Sequence, residues 1–155
     1  NYIPGEGHYI LDLKWTGTAI QDVTIGRYSY GGLFLRMPWK RGIKASCLNS
    51  EGLKNQQGEG KAAKWVDLAM QIEGMEKMAH IAMIDHPANP GYPTLWRIDG
   101  QFGVGPALAR RGDIRIPKGE SLTYRYRLVV YESDDFRTPL VEQSMKDFGA
   151  DQAGD

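Results

Sequence analysis

The chain predicts an all-β fold, an antiparallel β-sandwich with a short C-terminal helix, on three observations. Apolar residues alternate with polar ones at a spacing of two along several runs, as in strands with one face buried. Clusters of glycine, asparagine and proline punctuate those runs at turn-forming positions. Only the tail carries apolar residues at helical spacing. No repeat, heptad or low-complexity segment interrupts the pattern.

In chain order, "GHYILDLKW" sets Tyr9, Leu11, Leu13 and Trp15 on one strand face, opposite His8, Asp12 and Lys14. Short strands are expected near residues 20–25, 33–37, 43–48 and 113–116. "AKWVDLAMQI" sets Val66, Leu68, Met70 and Ile72 against Trp65, Asp67 and Gln71. In "KMAHIAMIDH" both faces are largely apolar, and the "EGME" before it reads as a hairpin connection. "SLTYRYRLVVY" places Leu122, Tyr124, Tyr126, Leu128 and Val130 together, with Arg125 and Arg127 opposite. About nine strands result. In "TPLVEQSMKDFG", Thr138 is the expected cap and Pro139 suits the first turn, while Leu140, Val141, Met145 and Phe148 share a face. The expected division is a β-sandwich over 1–136 and a helix and tail over 137–155, with "ADQAGD" fraying at the end.

Length and composition bound the function. One domain of 155 residues buries a core without staples. Nineteen basic residues balance nineteen acidic ones, which argues against a nucleic-acid surface, and no run is long and apolar enough to span a membrane. The single cysteine, Cys47, rules out an internal disulfide and reads as a small buried hydrophobe. The chain begins at Asn1 with no initiator methionine or signal-like segment, as a processed, trimmed or excerpted polypeptide would.

Two places concentrate chemistry. If the apolar sets face the core, the opposite faces collect His8, Asp12, Lys14, Arg36, Trp65, Asp67, Gln71, Arg125 and Arg127, a mixture suited to gripping a polar ligand. The second is "DHPANPGYPTLWRIDGQFGVGP", Asp85 to Pro106. Pro87, Pro90 and Pro93 withhold ladder donors from its first half, and its glycines allow close turns in the second. It reads as a rigid wall presenting His86, Asn89, Trp96 and Arg97. His86 is the candidate general acid or base and Glu51 a candidate second catalytic group. Arg36, Trp65, Asn89, Trp96 and Arg97 are the candidate substrate-binding residues. His80 reads as a core or interface histidine. His80 and His86 lie too far apart on a straight strand to share a metal, so no metal site and no cofactor are expected.

The motifs "GGLFLRM", "NSEG", "KWVD", the Asp85–Pro106 wall and "IPKGESLTYRYRLVVY" resemble the C-terminal half of a soluble bacterial family labelled methane oxygenase, PmoA-like. The matching motifs run from about Gly31 to Tyr131. The resemblance implies a supersandwich-like half and a role in carbohydrate chemistry or binding. It also implies a periplasmic or extracellular setting. On matching motif positions it carries over Arg36, Glu51, Trp65, His86, Asn89, Trp96 and Arg97. Family members are nearly twice this length, and their N-terminal half bears a histidine-rich motif not found here, so a second chain or that half is an expected partner. Three readings follow. The first is a carbohydrate-active enzyme using His86 for proton transfer, with a small carbohydrate ligand. The second is a non-catalytic sugar-binding or structural subunit. The third is the metal-dependent oxygenase of the label.

Overall fold

A computed structural model of the chain describes residues 2–3 and 7–150; the tail expected to fray lies, from residue 151 on, outside the described residues. The fold is all-β and sandwich-like with one C-terminal helix, as expected. Its strands are β1 (Tyr2–Ile3), β2 (His8–Thr18), β3 (Val23–Ile25), β4 (Ala45–Asn49), β5 (Trp65–Gln71), β6 (Met78–Asp85), β7 (Trp96–Ile98), β8 (Val104–Pro106), β9 (Ile114–Ile116) and β10 (Ser121–Ser133). Helix α1 covers Thr138–Ala150. A six-stranded sheet in the order β1-β2-β10-β6-β5-β4 forms the main layer, and all its neighbours run antiparallel. Two small pairs, β3 with β9 and β7 with β8, supply pieces of the second layer.

The expected strand at residues 33–37 is instead an irregular segment held by one bridge, Leu35 to Val104. β7 and β8 lie within the segment read as a wall, where its second half is free of ladder-blocking proline until Pro106.

Both faces of the main sheet are covered, but unequally. On one face Val66, Leu68, Met70 and Met83 pack with Trp96, Ile98 and Val104 of the second layer. On the other, Trp65, Ala82, Ile84, Val129 and Tyr131 pack under Val141 and Phe148 of α1. Each fully buried side chain of this kind contributes about 1.5–3 kcal/mol. α1 is amphipathic at the expected spacing, with Val141, Ser144 and Phe148 buried and Leu140 and Met145 partly so.

That placement corrects two expectations about faces. The set His8, Trp65, Asp67 and Arg127, read as a ligand-gripping surface, is buried. The Arg127 guanidinium lies 4.7 Å over the Phe148 ring, donates to Asp12 at 2.6 and 2.7 Å, and reaches the Ser144 carbonyl at 3.2 Å. Conversely Tyr9, Leu11, Leu13 and Trp15, read as core, are 51, 47, 37 and 56% exposed. Alternation identifies two faces, but which one a helix covers is a tertiary outcome.

Candidate functional site

The uncovered apolar face of β2 and β10 is the floor of a cleft. The segment from Ile25 to Leu33 and the turn at Leu108–Ala109 stand across from it and do not fill the space. What remains is a cavity of about 570 Å³ walled by Leu13, Trp15, Tyr28, Tyr30, Tyr124 and Tyr126. This is within the usual range for small-molecule sites. Tyr30, Gly31 and Gly32 also border a second cavity of about 510 Å³, lined by Phe34, Arg36, Arg97 and Asp99. The two share these three residues as a border, so an aromatic chamber and a charged pocket lie side by side.

Small residues shape both parts. The Trp15 indole folds over Gly17, where a Cβ would stand 2.6 Å from the ring. At the charged pocket the chain passes over β8: a Cβ on Gly105 would run into the Leu33 carbonyl and meet the Phe34 ring at 2.8 Å. Because a backbone atom is the obstacle, Gly105→Ala is expected to cost about 1–3 kcal/mol and to displace the 33–36 segment. Thermal denaturation of the variant measures the first effect; an unchanged midpoint would contradict the close approach.

The charged pocket is built from paired ions. Arg36 donates to Asp99 at 2.5 Å and to Gln101 at 2.8 Å. Asp99 also accepts the Gln101 and Gly103 N–H groups, both at 2.8 Å. Burial raises the Asp99 carboxyl, but these donors and the Arg36 charge outweigh it and hold the group below its ordinary value. Arg97 and Arg110 share Glu59 at 2.9 and 2.8 Å, and Glu59 also accepts the Ile98 N–H at 2.5 Å. Burial is again the largest single influence on Glu59, and its three donors together override it and lower the pKa. Three guanidinium groups against two carboxylates leave one positive charge in surplus. In the aromatic chamber, Tyr28 and Tyr30 meet edge to face at 4.7 Å. Their hydroxyls approach to 3.5 Å, which raises the Tyr28 pKa.

Of the seven residues expected to form the site, this cleft unites Arg36 and Arg97. The others lie elsewhere. His86 is 2% exposed, with Nε2–H donating to the Phe148 carbonyl at 3.1 Å and Nδ1 accepting the Ala88 N–H at 3.0 Å. Burial, with the charges of Arg125 and Arg127, lowers its pKa against the opposing pull of that carbonyl. Both nitrogens are occupied inside the protein, so the imidazole acts as a clasp between the wall and the end of α1. Asn89 continues the ladder where β6 ends: its side chain exchanges hydrogen bonds with the Arg125 C=O and N–H at 2.6 and 2.7 Å. Trp96 is fully buried and donates to the Ala63 carbonyl at 2.8 Å. Trp65, 2% exposed, donates to Glu142 of α1 at 2.7 Å. Glu51 is exposed and accepts from the Ser50 hydroxyl at 2.9 Å.

Sequence reasoning missed Tyr28, Tyr30, Phe34, Glu59 and Asp99. The run "YSYGGLF" carries a signal, since paired tyrosines before two glycines in a short, irregular stretch are unusual for a core strand. Cys47 is buried as expected, and burial pushes its thiol up to about 11. Among the described residues no group of three or more histidine, cysteine or acidic side chains is placed to hold a metal ion, and no helix is long and apolar enough to cross a membrane.

These features define a class: a sandwich-like all-β domain with a preformed cleft where its two layers diverge. The chain belongs to a family of unknown function, DUF6807, whose profile matches residues 2–143. No curated protein and no solved structure matches it. The family match brings with it neither the methane-oxygenase label nor a link to carbohydrate.

Proposed function

We propose that the protein binds a small carbohydrate in this cleft, as a binding module and without turnover by the residues first considered catalytic. One observation carries the reading: an aromatic chamber and a charged pocket lie side by side, with Tyr30, Gly31 and Gly32 as their common border. Rings of Trp15, Tyr30 and Tyr124 offer apolar faces to the C–H side of a sugar or to an apolar aglycone. Arg36, Arg97 and Asp99 offer directed bonds to hydroxyl or carboxylate groups. The surplus positive charge favours a sugar acid over a neutral sugar. His86 and Glu51 do not line the cleft, which supports binding over proton transfer. The oxygenase alternative has no ligand set among the described residues. The PmoA-like resemblance supports the carbohydrate assignment, and with it a periplasmic or extracellular setting.

Isothermal calorimetry against neutral sugars, uronic acids and aryl glycosides tests this. Arg97→Ala is expected to weaken the best ligand about 10–100-fold, the loss of a charged hydrogen bond, and Trp15→Ala to weaken it through lost stacking. Glu51→Gln is expected to leave affinity unchanged. Absence of binding across the panel, or full affinity in Arg97→Ala, would overturn the assignment. Product formation by wild type would restore the enzymatic reading.

A further inference from the structure

One polar atom in the lining of the aromatic chamber has nothing to bond. Tyr126 lines the chamber from β10, the strand between β2 and β6, and is 5% exposed. Its hydroxyl has no hydrogen-bond partner and is shut off from solvent. Asp85 stands opposite it in register, yet that carboxylate is committed to the Asn89 side chain at 2.7 Å and the Thr94 N–H at 2.9 Å. A buried hydroxyl left unpaired costs stability, and such exceptions are few in a native fold. Packing does not require it, since a phenylalanine ring fills nearly the same space. What the hydroxyl adds is one directed bond within a largely apolar chamber. Burial, with Asp85 and Tyr124 nearby, pushes the phenol far above its ordinary range, so it stays protonated and able to donate.

The rest of the lining decides what kind of group accepts that bond. Lys14 aside, the chamber's other side chains are aliphatic, such as Leu13, Ile25, Leu33 and Leu122, or aromatic. The Tyr28 and Tyr30 hydroxyls face each other at 3.5 Å. A pyranose carries hydroxyl groups around its whole rim, and most of them would lose water here without a replacement. A flat aromatic ring with one oxygen acceptor loses little and gains the Tyr126 bond. We infer that the chamber holds the aromatic aglycone of a glycoside, an oxygen acceptor on that ring taking the Tyr126 O–H, while the sugar lies in the charged pocket. The sugar half of this inference rests on the carbohydrate reading above; the ring half does not. Because the hydroxyl is enclosed, its partner enters only where a wall yields, and the wall from Ile25 to Leu33 is loosely latched. The Tyr28 N–H reaches the Ala109 carbonyl at 3.3 Å and the Leu108 N–H reaches the Gly31 carbonyl at 3.4 Å, both longer than ordinary backbone bonds. Gly31 and Gly32, with φ of 137° and 110°, end that wall in a conformation other residues rarely adopt.

Calorimetry with methyl, phenyl and para-acetylphenyl glucuronide, and with para-hydroxyacetophenone as the ring alone, tests this. Phenyl glucuronide is expected to bind about tenfold more tightly than the methyl compound, and para-acetylphenyl glucuronide about tenfold more tightly again. Tyr126→Phe is expected to remove the second gain and leave the first. It is also expected not to lower the thermal midpoint, since the hydroxyl has no partner in the fold to lose. A lowered midpoint would show that the hydroxyl serves the fold, and would overturn the inference. Equal affinity for the three glucuronides, or an undiminished acetylphenyl gain in Tyr126→Phe, would overturn it too and leave the carbohydrate reading standing. If para-hydroxyacetophenone binds as tightly as its glucuronide and weakens in Tyr126→Phe, the ring assignment holds and the carbohydrate reading falls. No binding by any of the four would overturn both.

Discussion

Asp67→Ala is expected to lower the free energy of unfolding by about 3–5 kcal/mol, the loss typical of breaking a buried charged network from one side. Asp67 sits in the middle of β5 on the face that α1 covers, 1% exposed. The Tyr131 hydroxyl donates to one carboxylate oxygen, and His80 Nδ1 approaches the other at 3.2 Å. The second ring nitrogen of His80 faces the Ser133 carbonyl at 3.2 Å, and the ring stacks on Tyr131 at 4.4 Å. The Arg137 N–H donates to the Tyr131 hydroxyl at 3.0 Å. Three strands and the turn into α1 therefore converge on one carboxylate. Removing it leaves the Tyr131 O–H and His80 Nδ1 without that acceptor in a buried site, where each unpaired polar group costs about 1–3 kcal/mol. Tyr131→Phe is expected to cost about 1–3 kcal/mol, since Asp67 keeps His80. Urea denaturation of both variants checks the order. A loss under about 1 kcal/mol for Asp67→Ala would mean that water enters the site and replaces the carboxylate.

This network also shows what the sequence could and could not convey. The strands that carry it were legible, because alternation is local and every residue in a strand obeys it. Helix α1 was legible for the same reason. The partnership of Asp67 with Tyr131, 64 positions apart, was not, because it depends on β10 lying beside β6 and β6 beside β5. The same limit governs the site. Trp65, Asp67 and Arg127 looked like a ligand surface since polar residues on one strand face imply solvent, yet thirteen residues of helix turn that face into an interior. Arg36 and Arg97 were found by residue type and motif position. The tyrosines that complete the cleft were not, because they stand on an irregular segment where no periodicity marks a face. His86 and Asn89 were singled out as a catalytic and a binding residue, and the structure gives both a place in the fold: one clasps the helix end, the other extends a ladder past its last strand residue.

A second large effect is expected in the pH dependence of stability, and it centres on Asp85. This carboxyl closes β6 at 1% exposure, accepting from Asn89 Nδ2 at 2.7 Å and the Thr94 N–H at 2.9 Å. Burial pushes it up to about 6, against the lowering effect of those hydrogen bonds. In the unfolded chain it titrates near 3.8. Between these values the unfolded state has released a proton that the folded state retains. Stability from this group is therefore whole below the lower value and falls as pH rises toward 6, by about two pH units or ~3 kcal/mol at most. Glu59 and Asp99, whose pKa values are lowered, act in the opposite sense: they add stability as pH rises through the acid range. His86, also lowered, adds stability as pH rises toward its unfolded value of 6.5, so the raw curve of the wild type mixes opposing slopes. Asp85→Asn isolates the one in question. It keeps an acceptor for one of the two donors, pays a fixed penalty at the other, and cannot ionise. Measured by urea denaturation, the variant is expected to gain on wild type by up to ~3 kcal/mol between pH 4 and 7, whatever its offset at pH 4. A difference that stays constant across that interval would show that the two donors to Asp85 hold it ionised throughout, and that hydrogen bonding, not burial, governs the end of β6.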